Sequence, residues 1–188
     1  MMTLIYRFCR GLLLCCLGLG LVGCQVAIPH YIDPIGGYGF DYPAGWEAVE
    51  VRDASPGVIV VWRDRLDPTA NLSLIANPTP DDVLAITTLG TPTDVGYRFF
   101  KEQTARLKAA QSGLQLKFLG AEALQKGITP YYQLEYAVTW PDGRQRHNLA
   151  SAVVQNQQLF TFNLVLPERR WQQQPQQWRA IVTSFEVF

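Results

Sequence analysis

The sequence predicts an α+β domain, an α/β/α sandwich around a central antiparallel sheet, and three observations predict it. Four strand-like runs between Leu116 and Leu166 follow one another with only turn residues between them, which leaves no room for the crossover helices of a parallel sheet. Both faces of that meander are mostly apolar, so both want cover. Two helical stretches, one before the meander and one after it, are available to supply it.

The 188-residue chain opens with a segment of different character. Arg7 and Arg10 precede an uncharged, Leu-dominated stretch from Gly11 to Gly23. That stretch falls short of the roughly 20 residues a bilayer-crossing helix takes, and it suits the apolar part of a signal peptide. It ends in Leu21-Val22-Gly23-Cys24, which is similar to a bacterial lipobox, the motif whose cysteine is lipidated before cleavage. The chain therefore divides into a lipoprotein signal peptide over 1–23, a lipidated Cys24 with a tether over 24–37, and a folded domain over 38–188. The competing reading is an ordinary signal peptide in which Cys24 is incidental. Gln25 to Gly37 holds Pro29, Pro34, Gly36 and Gly37, shows neither helical nor strand periodicity, and reads as the tether.

Regular signals start at Tyr38. Tyr38 to Tyr42 alternates as a half-buried strand, Pro43-Ala44-Gly45 turns the chain, and Trp46 to Val51 alternates again. Val58 to Trp62 is a β-branched run suited to a buried strand, and Asn71 to Ala76 is another short strand. Thr91-Pro92-Thr93-Asp94 is a helix start, with Thr91 as cap, Pro92 at the first helical position and Asp94 three residues after the cap. The helix is predicted to reach Ala110, with Phe99, Phe100, Gln103 and Leu107 near one face, and Ser112-Gly113 ends it. The four strands of the meander follow, at Leu116 to Leu124, Tyr131 to Trp140, Arg146 to Val154 and Leu159 to Leu166.

Pro141-Asp142-Gly143-Arg144 is the strongest turn signal, and Asp-Gly suits a two-residue type I′ loop. Trp140 then faces Gln145, Val138 faces His147 and Tyr136 faces Leu149, which puts Leu134, Tyr136, Val138, Leu149 and Val153 on one side. A second hairpin about Asn156-Gln157 adds Phe160, Phe162, Leu164 and Leu166 to that side. Trp178, Ile181, Val182 and Phe185 form the apolar stripe of a final helix beginning near Pro175.

Composition excludes several functions. With 16 basic and 16 acidic side chains the chain lacks the cationic excess that phosphate binding needs, so no nucleic-acid partner is expected. All four cysteines (Cys9, Cys15, Cys16 and Cys24) precede the domain, which therefore has no disulfide, cysteine nucleophile or cysteine zinc site. Without Arg7 and Arg10 the exported part is slightly acidic, so membrane attachment falls to acyl chains, worth roughly 0.8 kcal/mol per buried CH₂.

Catalytic patterns are also missing. The chain has two histidines, His30 in the tether and His147 in a strand, and no nucleophile elbow, zinc-protease, phosphate-loop or dinucleotide motif. No catalytic residue, metal ligand or cofactor is assigned. His147 reads as a partly buried histidine at the core-facing end of the sheet; a divalent-metal ligand with Asp142 or another carboxylate is the sharper alternative. Asp64, Asp67, Asp81 and Asp82 read as solvated acids, with a hard cation such as calcium as the alternative. Arg144 and Arg146 flank the turn as candidate partner contacts. Arg169 and Trp171 are candidate interface anchors, although Trp171 can equally pack beneath the preceding loop.

Gly39-Phe40-Asp41-Tyr42-Pro43-Ala44-Gly45-Trp46, Trp62-Arg63-Asp64, Asn71-Leu72-Ser73-Leu74, Leu89-Gly90-Thr91-Pro92, His147-Asn148-Leu149-Ala150 through Phe160, Pro167-Glu168-Arg169-Arg170-Trp171 and Ser184-Phe185 come in an order and spacing that resembles the PsbP family. The resemblance covers Gly37 to Phe188 and, with the lipobox, is closest to the family's cyanobacterial lipoproteins. It implies the PsbP-like fold and an extrinsic protein held by its lipid anchor on the lumenal side of the thylakoid membrane. Such a protein associates with photosystem II subunits or assembly intermediates, in assembly or stabilisation of the complex. By resemblance alone it also implies calcium, since plant members help retain calcium and chloride at the oxygen-evolving centre. Those members use a basic N-terminal extension, whereas Gln25 to Gly37 has no Lys or Arg. Family metal contacts involve paired histidines, and the predicted domain offers His147 alone, so no metal site is carried over. Two alternatives stay open: an envelope lipoprotein of the same fold with a different membrane partner, and an enzyme with a site the motifs do not reveal.

Overall fold

The computed structural model describes residues 28–50 and 56–188; the signal-peptide segment and Cys24 lie outside the described residues. The chain runs β1 (His30–Asp33), β2 (Tyr38–Asp41), β3 (Trp46–Val49), β4 (Val58–Asp64) and β5 (Asn71–Pro78), then a 3₁₀ turn (Ile86–Leu89) and α1 (Pro92–Ala109). The meander is β6 (Gln115–Lys126), β7 (Thr129–Thr139), β8 (Gln145–Gln155) and β9 (Gln158–Pro167), followed by α2 (Glu168–Gln173), α3 (Pro175–Ser184) and β10 (Glu186–Val187).

Among the described residues seven strands form one antiparallel sheet in the order β3-β4-β5-β9-β8-β7-β6, and β1-β2-β10 form a second, small sheet. Helix α1 starts where the sequence says it must, because Thr91 Oγ accepts from the Asp94 N–H and Asp94 accepts from the Thr91 N–H, closing a capping box behind Pro92. It packs on β6 and β7. Gly96 is its one buried residue, since a Cβ there would stand 2.7 Å from the Phe118 ring. On the other face Trp178, Ile181 and Val182 of α3 join Leu149, Val153, Phe162 and Leu164 in the main core. The small sheet shares that layer, with Phe40 4.7 Å from Phe162. The α/β/α sandwich with a central antiparallel sheet is thus the observed fold.

Three expectations about the elements are corrected. Tyr31 and its neighbours are not extended tether: His30–Asp33 pairs with Tyr38–Asp41, and Tyr31 packs 5.5 Å from Trp62. The Pro and Gly residues between them are hairpin-turn chemistry. Asp33 accepts the Ile35 and Gly36 N–H groups, which holds its carboxyl below the usual range, and Gly37 takes φ +69°.

The β7–β8 register also differs, by one residue. Thr139 pairs with Gln145, Ala137 with His147 and Tyr136 with Asn148. Pro141 is the reason: its φ is locked negative, which suits the second position of a type I turn and leaves Gly143 to take the left-handed residue of a three-residue loop. Trp140 O accepts from the Gly143 N–H at 2.9 Å, the Trp140 N–H reaches Arg144 O at 2.8 Å, and Gly143 has φ +83°. A slip of one residue reverses which β7 side chains share a face with which β8 side chains. Leu134 and Tyr136 therefore lie toward α1, with Phe99 5.6 Å from Tyr136, and Glu135 lies with His147 and Leu149 on the α3 side. The β8–β9 hairpin does follow the prediction, with Asn156 and Gln157 both at positive φ.

The third correction concerns cover. On the α1 side, Leu159, Thr161, Asn163 and Val165 of β9 are only half-buried, while Phe160, Phe162, Leu164 and Leu166 facing α3 are buried. That part of the sheet is wetter than its apolar composition implied.

The turn supplies a test with an internal control. Gly143 and Gly120 both have open space where a Cβ would go, but of the two only Gly143 has positive φ. Gly143→Ala is expected to lower stability by about 1–2 kcal/mol, the cost of a Cβ in the left-handed region. Gly120→Ala should change it by less than about 0.5 kcal/mol. Urea unfolding of the two variants reads the difference.

Candidate functional site

Sheet register builds the first cluster. Glu135 on β7 and His147 on β8 are diagonal neighbours on the α3 face, and Glu168, the first residue of α2, comes in from the chain just after β9. His147 Nε2 lies 2.8 Å from Glu135 and Nδ1 3.1 Å from Glu168, so both ring nitrogens are engaged by carboxylates. Trp171 lies parallel to the imidazole with centroids 3.7 Å apart. Arg179 of α3 pairs with the second Glu135 oxygen at 2.5 Å and stands 5.2 Å from the Trp171 ring. His147 is 3% exposed, and removing one hydrogen-bond partner from such a buried group typically costs about 1–3 kcal/mol. The cluster locks α2 and α3 to the sheet. Because its two acids hold opposite edges of the imidazole, they do not converge on a point where an ion could sit.

Arg170 organises a second cluster. Its guanidinium reaches Asp64 at 2.6 Å and Asp67 at 3.8 Å, within cation–π range of Trp46 and Trp178. Burial pushes the Asp64 carboxyl up, but the Leu66 N–H, Arg170 and the Asp67 N–H outweigh it and hold the carboxyl below its ordinary value. These two of the four candidate calcium ligands are thus committed within the protein, and Asp81 and Asp82 stand exposed in a separate turn. Among the described residues no three His, Cys, Asp or Glu side chains converge to hold a metal. The oxygen set does not fit calcium.

The partner candidates separate into two groups. Arg144, Arg146 and Arg169 line one groove of about 260 Å³ together with Trp140, Gln145, Pro167, Glu168 and Thr69. Trp171 is buried against His147, because α2 turns it inward; of its two expected places it takes the packed one. Asp142 pairs with Arg144 at 2.6 Å and not with His147. His30 belongs to β1 and bonds Asp41 at 2.6 Å. A larger open cavity of about 440 Å³, lined by residues including Glu122, Gln133, Glu135 and Arg179, lies on the α3 side, and the ion pair in its wall is Glu135–Arg179. Sequence reading did not single out Glu135, Glu168, Arg179 or Trp140. Pro141 carried the missing signal for Glu135, since the type I turn it favours is what puts that residue beside His147.

Residues 27–187 match the PsbP family. A CyanoP protein of Synechocystis sp. (strain ATCC 27184 / PCC 6803 / Kazusa) is 40% identical over 173 residues, 92% of this chain and 88% of that one. The chain belongs to the PsbP family. A second CyanoP, from Thermosynechococcus vestitus, is 36% identical over 89% of this chain and 91% of its own. The solution structure of cyanobacterial PsbP (CyanoP) from Synechocystis sp. PCC 6803 superposes with a TM-score of 0.73 at 40% identity, covering 91% of this chain and 99% of that one. The Saccharomyces cerevisiae Ran-binding protein Mog1p shares the fold alone, with a TM-score of 0.53 at 9% identity over 86% of this chain and 96% of its own.

Asp64 gives this PsbP domain an acid-sensitive contact. Its carboxyl is held lower in the folded state than in the unfolded one, so its stabilisation is present above the ordinary value of 3.8 and fades as pH falls through the folded value. Asp64→Asn should cost about 1–3 kcal/mol at neutral pH, as loss of a charge-assisted contact does. Urea unfolding repeated into the acid range should show that difference shrinking toward zero. A constant difference across pH would place the effect elsewhere.

Proposed function

We propose that this chain is an extrinsic photosystem II-associated lipoprotein of the thylakoid lumen, which acts in assembly or stabilisation of the complex by docking and not by catalysis. The family match over residues 27–187 carries the reading. Supporting the docking mode, His147 has both ring nitrogens engaged and one ring face covered, so it has no free edge to activate a nucleophile. Calcium and chloride retention is left out of the reading, because Asp64 and Asp67 are engaged by Arg170 and the segment from Gln25 to Gly37 has no Lys or Arg.

Lipidation of Cys24 completes the proposal. The folded part begins at His30, and six residues of chain reach at most roughly 20 Å. An acyl anchor at Cys24 would therefore confine the domain close to the bilayer, where a high effective concentration lets a weak contact suffice.

Co-purification from detergent-solubilised thylakoid membranes tests this directly. The tagged protein is expected to bring down photosystem II subunits or intermediates, and Cys24→Ser is expected to move it to the soluble fraction and weaken that association while leaving the domain folded. Recovery with a different envelope complex and no photosystem II subunit would favour an envelope lipoprotein of the same fold instead.

A further inference from the structure

Among the candidate partner contacts the sequence offered, three arginines converge, and what they line is a recess. Arg146 sits on β8 between Val138 of β7 and Pro167 of β9, and its guanidinium stacks 4.9 Å from the Trp140 ring. Arg144 stands at the exit of the Pro141-Asp142-Gly143 turn, and Arg169 is the second residue of α2. The same register that puts Glu135 beside His147 on one face puts Trp140, Arg146 and Pro167 together on the other.

The charges in the groove are unevenly used. Arg144 is paired with Asp142, and Glu168 is turned to His147 and Gln172. Among the described residues, Arg146 and Arg169 make no salt bridge. Arginine presents a planar fork that matches a carboxylate in two parallel hydrogen bonds, and a guanidinium already laid against an aromatic ring loses little freedom in making them. Trp140 and Pro167 add an apolar strip, so the groove has the aromatic and arginine content of a protein-binding hot spot.

We propose that this groove is the docking site for a carboxylate-bearing segment of a partner protein, with Arg146 and Arg169 gripping the acidic side chains and Trp140 packing on the segment between them. The concave shape favours an inserted peptide over a lipid surface, because a planar headgroup layer does not enter a recess of about 260 Å³. The proposal rests on the photosystem reading for the partner's identity, but the groove's chemistry does not.

The test has two arms. In the first, the full chain in detergent is titrated with fluorescent hexaglutamate and, separately, with glycerol phosphate as a lipid-headgroup probe. Hexaglutamate is expected to bind, and the double variant Arg146→Glu, Arg169→Glu should weaken it by roughly tenfold or more, since two charge-assisted contacts become repulsive. Lys101→Glu on the exposed side of α1 should change it by less than about twofold, as for a solvated charge. An undiminished affinity in the double variant, an equal loss in Lys101→Glu, or tighter Arg-dependent binding of glycerol phosphate would each overturn the groove as a peptide site. In the second arm, loss of photosystem II co-purification in the double variant supports the groove as the contact. Wild-type recovery by that variant removes the groove and leaves the photosystem reading standing. If the wild type itself recovers no photosystem subunit, that reading fails, and the hexaglutamate arm still decides the groove.

Discussion

Pro141, Asp142 and Gly143 fix the alignment of β7 against β8, and both side-chain clusters that distinguish this molecule depend on that alignment. In a two-residue Asp142-Gly143 loop Pro141 would have to donate an N–H to Arg144 O, and it has none; Trp140 makes that bond instead, and with its negative φ Pro141 enters the turn as one more loop residue. Every side chain of β7 thereby meets the opposite parity of β8. Glu135 joins His147 under α3, and Trp140 joins Arg146 and Pro167 at the other face. The hairpin at the far end of β8 holds the next pair in register through Asn156 and Gln157, so β9 and the α2 residues that follow arrive where Glu168 can close on His147.

Charge is arranged on two levels. Buried or half-buried ions are consumed internally: Glu135 with Arg179 and His147, Glu168 with His147, Asp64 with Arg170. Each set lies against tryptophan, Trp171 in the first case and Trp46 and Trp178 in the second. These contacts tie the two C-terminal helices to the sheet and leave little ionisable chemistry for anything else. At the sheet end, Arg146 and Arg169 remain outside these pairs, and the proposed groove presents their charge to a partner.

Much of this architecture was legible. The capping box of Thr91 and Asp94, the stripe of Trp178, Ile181 and Val182, and the alternation of β9 are local patterns, and local patterns survive into the fold. Two things were less legible because they depend on competition between signals. Pro and Gly between Asp33 and Tyr38 suit a tether as well as a turn, and it is Asp33, accepting two backbone N–H groups, that closes the hairpin. At the central turn Asp-Gly favours a two-residue loop while Pro141 opposes it, and the two-residue register would set Glu135 on the opposite face, away from His147. Contacts such as Glu168 and Arg179 join distant segments and no spacing rule in the chain announces them.

The claim on which function depends is that the β7–β8 end of the sheet faces photosystem II. A photo-crosslinking residue at exposed Gln145, beside the groove, compared with one at exposed Gln157 at the opposite end, measures it in intact thylakoid membranes. The account predicts photosystem II adducts from position 145 and few from 157. Adducts from position 157 with none from 145 would contradict it.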